Sequence, residues 1–440
     1  MVHTSAQAVL QQLEEAGYSA YLVGGCVRDL LLGKQPDDYD MTTSARPEEV
    51  LALFAPHAIP TGLQHGTVTV RWGGESFEIT TFRADGTYSD GRHPDAVTFS
   101  RRLEDDLQRR DFTVNAMAMD RRGQLTDLYG GQEDLRRGVI RCVGNAETRF
   151  AEDALRIMRG LRFAAVLGFS IEEQTAQAMI ACRYRLEQIA AERLQVEMTK
   201  LLCGRDAGEI LLRFPQVIGV FMPEILPCVG FAQHSHWHCY DVWEHICRSV
   251  EAAPVQPLLR WTMLLHDIAK PVCFTQDEAG AGHFYGHPQR GVEMAREVMH
   301  RLRFDKRSQQ RIETLIAWHD REIPRTEKGV RRALHALGEE ALRQLIEVKR
   351  ADNWAQHPDC REFMQQQIDW AEEIMERLLE KESCFRVAQL AVNGRDLLAL
   401  GLQGSQIGTA LDAALEQVLE GALPNEKESL LAWISEHKKP

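Results

Sequence analysis

Leu22-Val23-Gly24-Gly25-Cys26-Val27-Arg28-Asp29, with Asp38-Tyr39-Asp40 shortly after it, is the stretch from which the rest of the chain is read. The apolar run Ala20-Tyr21-Leu22-Val23 predicts a short buried strand that enters the Gly24-Gly25 pair directly. Two glycines let backbone approach a ligand closely and turn N–H groups toward phosphate oxygens, and Arg28 is near enough to add a charged fork. If Tyr39 lies in a strand, the two-residue repeat puts Asp38 and Asp40 on one face, where two carboxylates can hold a pair of Mg²⁺ ions. Two acids in a solvated turn would look the same, and the phosphate cradle just upstream is what favours the metal reading. Together they suggest phosphoryl transfer from a nucleoside triphosphate. One ion lowers the pKa of the attacking hydroxyl and the other neutralises the leaving pyrophosphate, the two being about 3.5 to 4 Å apart in such sites.

Working outward, Ala6, Val9, Leu10 and Leu13 recur at helical spacing, predicting a helix over residues 6–16. Val68–Trp72 and Phe77–Phe82 read as two strands turned by Gly73-Gly74, and Glu78 would stand as a third carboxylate beside Asp38 and Asp40. Residues 1 to about 140 therefore predict a small domain with a mixed or antiparallel sheet. From about residue 144 onward the strand signals fade. Leu155, Met158, Leu161 and Ala165 mark an amphipathic helix that Gly168 would end. The fold class expected is α+β, a small mixed-sheet head followed by an all-α remainder. At 440 residues the chain is long enough for two to four domains, and it shows no tandem repeat.

A hydrophobic fraction of 44% and a charged fraction of 26% fit a soluble folded chain rather than a disordered one. A net charge of −13 argues against a protein that coats nucleic acid through overall charge, although Arg101-Arg102, Arg109-Arg110, Arg121-Arg122, Arg136-Arg137 and the run from Arg301 to Arg311 are local candidates. Solvated helix faces are the other reading of such pairs. The ten cysteines form no Cys-x-x-Cys pair, the amino terminus shows no signal segment, and no apolar run approaches the length of a membrane span. A cytoplasmic protein with buried thiols and no membrane partner is expected.

In Glu152-Asp153-Ala154-Leu155-Arg156, Asp153 and Arg156 share a helix face. A surface salt bridge is one reading. The other is that the pair reads a base: a carboxylate accepts from the exocyclic amine of cytosine or adenine, while a guanidinium donates to their ring nitrogen. Guanine and uracil would leave buried groups unpaired, at about 1–3 kcal/mol each. Such a pair would choose C and A without a nucleic-acid template.

The segments Val23–Asp29, Asp38–Asp40, Arg109–Ala116, Glu152–Arg156 and Glu192–Glu197 resemble, in order, the motifs of the bacterial class II tRNA nucleotidyltransferases, the CCA-adding enzymes. Leu390–Leu397 and Gly404–Gly408 look like the tail segment of the same family. The resemblance implies a nucleotidyltransferase head over 1–143, a base-selecting helical neck over 144–205, a helical domain over 206–370 and a tRNA-binding helical tail over 371–440. Asp38 and Asp40 would hold Mg²⁺, with Glu78 beside them. Gly24, Gly25, Arg28, Arg110, Asp111, Asn115, Asp153, Arg156 and Arg159 would bind the incoming CTP or ATP. The segment Phe82–Pro94 looks like the loop with which such enzymes switch from C to A.

The middle of the chain carries His245, His266-Asp267, His287, His319 and Asp352, a set that suits a borderline transition metal. His266-Asp267 is expected on an otherwise apolar helix. The order resembles that of HD-family phosphohydrolases, which implies His245, His266, Asp267 and Asp352 as core ligands and His287 with His319 as those of a second metal. Mn²⁺, Ni²⁺, Fe²⁺ or Co²⁺ would fit, and a bound metal would activate water against a phosphate ester, a 2′,3′-cyclic phosphodiester or phosphomonoester by family resemblance. A degenerate, structural domain is the competing reading. His234, His236 and His238 are harder to place. For the whole chain the function expected is addition of C, C and A to tRNA. Poly(A) polymerase, A-only addition and a noncatalytic RNA-binding regulator are the alternatives, and the oligomeric state is left open.

Overall fold

The computed structural model describes residues 4–85, 97–380 and 384–437. It divides into two compact units, one of residues up to Leu226 with Arg301–Arg303, the other of Pro227–His300 with the chain from Phe304 onward. The fold is α+β, as the sequence predicts, with the sheet in the first unit.

The strands are β1 (Ala20–Val23), β2 (Asp40–Thr43), β3 (Ala58–Gly62), β4 (Thr67–Trp72), β5 (Glu75–Thr81), β6 (Arg83–Asp85), β7 (Val97–Phe99), β8 (Met117–Met119) and β9 (Leu125–Asp127). Seven of them form one mixed sheet in the order β3-β4-β5-β2-β1-β8-β9, and β6 pairs separately with β7. Only β2 and β5 run parallel in the large sheet, in a register that sets Asp40 against Glu78. The β4–β5 turn falls on Gly73 and Gly74, at φ of 61° and 85°, the left-handed backbone a two-residue hairpin turn needs at both positions. Leu22, Met41, Val68, Val70, Phe77 and Ile79 are each buried in the sheet, and the helix Thr4–Glu15, which buries Val9, Leu10 and Leu13, packs against β1. Each such side chain contributes about 1.5–3 kcal/mol by leaving water. The helix Leu155–Leu167 ends at Gly168 as expected and packs against Ala191–Leu202. Of the switching loop expected over 82–94, residues 86–94 lie outside the described residues.

In the second unit the helices Val242–Ala252, Pro257–Leu265, Lys306–Trp318 and Glu339–Trp354 pack on one another. A smaller cluster around Leu397, Leu411, Leu415, Leu430 and Ile434 holds the last helices together. Two details depart from the sequence reading. The region after residue 144 is not wholly helical: Ser170–Ile171 pairs with Val139–Ile140, and Thr275–Gln276 with Gly282–His283 as a hairpin. The helix predicted to carry His266-Asp267 stops at Leu265, and both residues lie in the turn that follows. The short helix Lys270–Cys273 follows, with Pro271 in its first turn, where the missing N–H costs no bond.

Candidate active site and metal centre

At the head, Gly24 caps the helix Gly25–Leu31 at φ 74°. A Cβ there would lie 3.2 Å from Arg110 Nη1 and 3.8 Å from Asp40 Oδ2, so glycine is what lets the backbone, the guanidinium and the carboxylate converge. The strand β2 begins at Asp40 rather than at Asp38, yet the alternation expected persists: Tyr39 is buried while Asp38 is exposed and Asp40 half-buried. Burial, then the charges of Asp38 and Glu78, push the Asp40 carboxyl up to about 6 against the opposing pull of Arg110. A carboxyl whose ionisation is opposed by burial and by two neighbouring acids is a donor that a divalent cation relieves, so these residues fit Mg²⁺.

Behind them runs a chain of charged contacts. Arg28 Nη1 donates to Asn115 Oδ1 at 2.8 Å, Asn115 Nδ2 donates to Asp111 Oδ1 at 3.3 Å, and Arg159 Nε donates to Asp111 Oδ2 at 2.8 Å. Burial disfavours the Asp111 charge, but Arg159 and then Arg156 outweigh it and hold the carboxyl down at about 2. The network joins the cradle helix to the helix Leu155–Leu167. Asp106, fully buried, anchors both Arg109 and Arg110 at 2.6 and 3.0 Å. Phe163 lies under the guanidiniums of Arg162, Arg159 and Arg28 at 4.1, 5.3 and 5.4 Å from its centroid.

Asp153 sits just before the helix that carries Arg156, where its Oδ1 accepts from Leu155 N at 3.0 Å and its Oδ2 faces Arg193 Nη2 at 3.7 Å. Arg156 donates to Glu152 Oε2 at 2.5 Å and to the backbone oxygens of Arg149 and Arg109 at 3.1 and 2.9 Å. Both side chains are thus fixed by neighbours other than each other.

In the second unit two groups bring ligand atoms within 4.8 Å of one another: His245, His266, Asp267 and Asp352, and Asp267, His287 and His319. Each of the four imidazoles is held through Nδ1 by a backbone oxygen: Ala355 for His245 (3.2 Å), Met263 for His266 (2.7 Å), Phe284 for His287 (2.8 Å) and Ile316 for His319 (2.7 Å). With Nδ1–H donating outward, every Nε2 faces inward, and they meet in pairs, His245 with His266 at 3.3 Å and His287 with His319 at 3.2 Å. Two inward lone pairs at that distance repel unless a proton or a metal lies between. Asp267 serves both pairs, Oδ2 facing His245 and His266 at 3.3 and 3.2 Å, Oδ1 facing His287 and His319 at 3.4 and 3.5 Å. Neither oxygen has a well-formed hydrogen bond, although Lys270 Nζ is 2.7 Å from Oδ2. Burial disfavours His266's charge, but Asp267 and Asp352 overcome it and push the imidazole up to about 10. A metal would replace that proton, so the donor set fits one or two transition-metal ions.

Three participants in these sites were not assigned from sequence. Lys270, buried, reaches Asp267, Gln233 Oε1 at 2.9 Å and His238 Nε2 at 3.3 Å, and its spacing of three residues from Asp267 was a readable signal. Gln233 carried none. His238 joins the wall of the site, pushed down to about 3 by burial and by Lys270, whereas the His236 ring lies against Trp237 at a tilt of 42°. Among the described residues no helix is long and apolar enough to cross a membrane.

Comparison with known proteins agrees with this geometry. Residues 20–141 match the family described as Poly A polymerase head domain, residues 168–225 an RNA- and SrmB-binding region of polymerase A, and residues 289–434 the tRNA nucleotidyltransferase domain 2 family. The CCA-adding enzyme of Geobacillus stearothermophilus is 36% identical over 438 residues, 99% of this chain and 97% of that protein. That of Lactobacillus delbrueckii subsp. bulgaricus is 54% identical over 213 residues, 48% of this chain and 54% of that protein. The crystal structure of the Bacillus stearothermophilus CCA-adding enzyme in complex with CTP superposes with a TM-score of 0.70 at 33% identity, covering 98% of this chain and 96% of that one. With 36% identity to a CCA-adding enzyme over 99% of this chain and a matching fold along nearly the whole length, the chain belongs to the CCA-adding enzyme family of nucleotidyltransferases.

Proposed function

We propose that this protein adds or repairs the 3′-terminal CCA of tRNA without a nucleic-acid template, using CTP and ATP. The observation that carries the reading is the convergence of Gly24, Arg110 and Asp40, with Glu78 in register beside Asp40. Mg²⁺ bound by Asp38 and Asp40 would supply activation of the terminal ribose hydroxyl and neutralisation of the leaving pyrophosphate. The protein's own groups do the rest. The Gly24-Gly25 backbone and Arg28 bind the triphosphate, Arg110 adds charge beside Asp40, and Asp111 with Asn115 and Arg159 fixes the nucleotide-facing helix. Asp153 and Arg156 read the base by accepting from an exocyclic amine and donating to a ring nitrogen. The domain reading that goes with this is a head over 1–143, a neck over 144–205, a helical metal-binding domain over 206–370 and a tRNA-binding tail over 371–440.

The test is addition of each nucleotide, singly and together, to a tRNA that ends before CCA. Incorporation of C, C and A followed by a stop is expected. Unlimited A addition would mean a poly(A) polymerase, A alone would mean an A-adding enzyme, and tRNA binding without incorporation would mean a regulator.

The four inward imidazoles sharing Asp267 favour a second activity, metal-dependent hydrolysis of a phosphate ester such as a 2′,3′-cyclic phosphodiester. His245, His266, Asp267 and Asp352 would hold one metal and Asp267, His287 and His319 another, supplying an activated water. Lys270, which no metal needs, is placed to meet a phosphate oxygen. Loss of hydrolysis in His266→Ala with retained nucleotide addition would support this reading. Equal hydrolysis by that variant would reject it.

A further inference from the structure

Tyr285 is 77% exposed, an unusual position for a large ring, and it lines a cavity of about 450 Å³ whose buried end is formed by Asp267, His287 and His319. That volume lies within the range of about 300–1,000 Å³ usual for small-molecule sites. One face of the tyrosine is already covered, since its ring lies parallel to that of His283, 10° between planes and 5.3 Å between centroids. His283 is fixed in turn by Asp277, whose Oδ2 lies 2.8 Å from Nε2 and whose Oδ1 accepts from the backbone of Ala279 and Ala281. The short hairpin Thr275–Gln276/Gly282–His283 thus carries the imidazole against which this largely exposed ring lies. Trp237, also partly exposed, lines the same cavity.

We propose that Tyr285, backed by His283, is a nucleobase platform at the mouth of the His/Asp centre. The cavity has two chemically distinct ends. The buried end offers Lys270 and the His/Asp groups to a phosphate, and the exposed end offers a flat, largely exposed ring, to which any base can stack whatever its hydrogen-bonding edge. A nucleoside phosphate, or the terminal nucleotide of an RNA, presents that pair of groups. The assignment deepens the hydrolase reading of the centre and rests on it for the chemical step, while the platform itself makes a claim about binding.

The experiment uses the full chain loaded with Mn²⁺. Equilibrium binding of AMP and of ribose 5-phosphate, which differ only by the base, is compared between wild type, Tyr285→Ala and Tyr285→Phe, so that nucleotide held by the head cancels. The KM values for hydrolysis of 2′-AMP and of glycerol 2-phosphate are measured alongside. Stacking of one base corresponds to about a 5- to 150-fold preference. The expected result is that Tyr285→Ala weakens AMP binding and raises the KM for 2′-AMP by a factor in that range, that kcat holds, and that Tyr285→Phe keeps the preference because only the ring is needed. An unchanged preference in Tyr285→Ala overturns the platform while hydrolysis of both esters leaves the hydrolase reading standing. Tyr285-dependent AMP binding without hydrolysis of either ester does the reverse.

Discussion

Around Asp40 the acids stand on neighbouring strands of a sheet, with Asp38 and Glu78 exposed, and among the described residues they do not close into a group of three ligand atoms within 4.8 Å. Around Asp267 the ligands come from several helices and their connecting turns, are nearly all buried, and do close to that distance, each imidazole aimed by a backbone oxygen behind it. The difference follows from the ions that suit each set. Mg²⁺ keeps much of its water and is commonly completed by substrate phosphates, so a loose pair of carboxylates beside a phosphate cradle is sufficient until a triphosphate arrives. A transition metal bound by imidazoles needs each nitrogen lone pair aimed in advance, and second-layer hydrogen bonds provide that aim. The head acids stand open and apart, whereas the His/Asp groups are already drawn together.

The contrast can be broken most decisively at Asp40. Asp40→Ala should lower nucleotide addition to a truncated tRNA by at least about a thousandfold, the scale of several kcal/mol that metal ions supply. Ester hydrolysis at the second site should persist, and loss of both in a folded variant would mean the sites are not separable. Next in size, His266→Ala should weaken Mn²⁺ binding by more than about 100-fold, read as metal content after dialysis, because a direct ligand outweighs the outer groups whose loss costs 10- to 100-fold. Nucleotide addition measured in the same preparation should stay near wild type. Gly24→Ala would force alanine to φ 74° and ψ −135°, a region essentially reserved for glycine, at about 1–3 kcal/mol, and push its methyl toward Arg110. The KM for CTP should rise about tenfold, and an unchanged KM would argue that the cradle is not where the triphosphate sits. The smallest effect serves as a control outside both sites. Asn393 caps the helix Gly394–Ala399, its side chain accepting from Arg395 N at 2.9 Å while Asp396 returns a bond to Asn393 N at 3.0 Å. Asn393→Ala should cost about 1 kcal/mol in urea unfolding and leave both chemistries intact.

Much of the head was legible because its signals are local. The run Ala20–Val23, the Gly73-Gly74 turn and the alternation of Asp38, Tyr39 and Asp40 depend on neighbours one or two positions away. The middle site was legible in composition but not in shape. His266 and Asp267 were expected on a helix because the apolar run before them has helical character, and the structure instead presents them from the turn after Leu265. Gln233 and Tyr285 were not singled out, since a lone glutamine or an aromatic residue in a loop has no pattern that marks it.

By itself, the sequence determined the elements and the chemical types: strands by alternation, helices by periodicity and caps, and two candidate sites by a glycine pair beside acids and by a set of histidines and aspartates. Only the tertiary structure decided how these groups share one another. That Asp267 divides its two oxygens between two imidazole pairs, that Asp111 answers Arg159 rather than a solvent cation, and that Tyr285 stands on His283 at the open end of the metal cavity are contacts whose geometry packing decides. Spacing along the chain carries no information about which oxygen faces which nitrogen, because that orientation is set by burial and by the backbone groups behind each side chain.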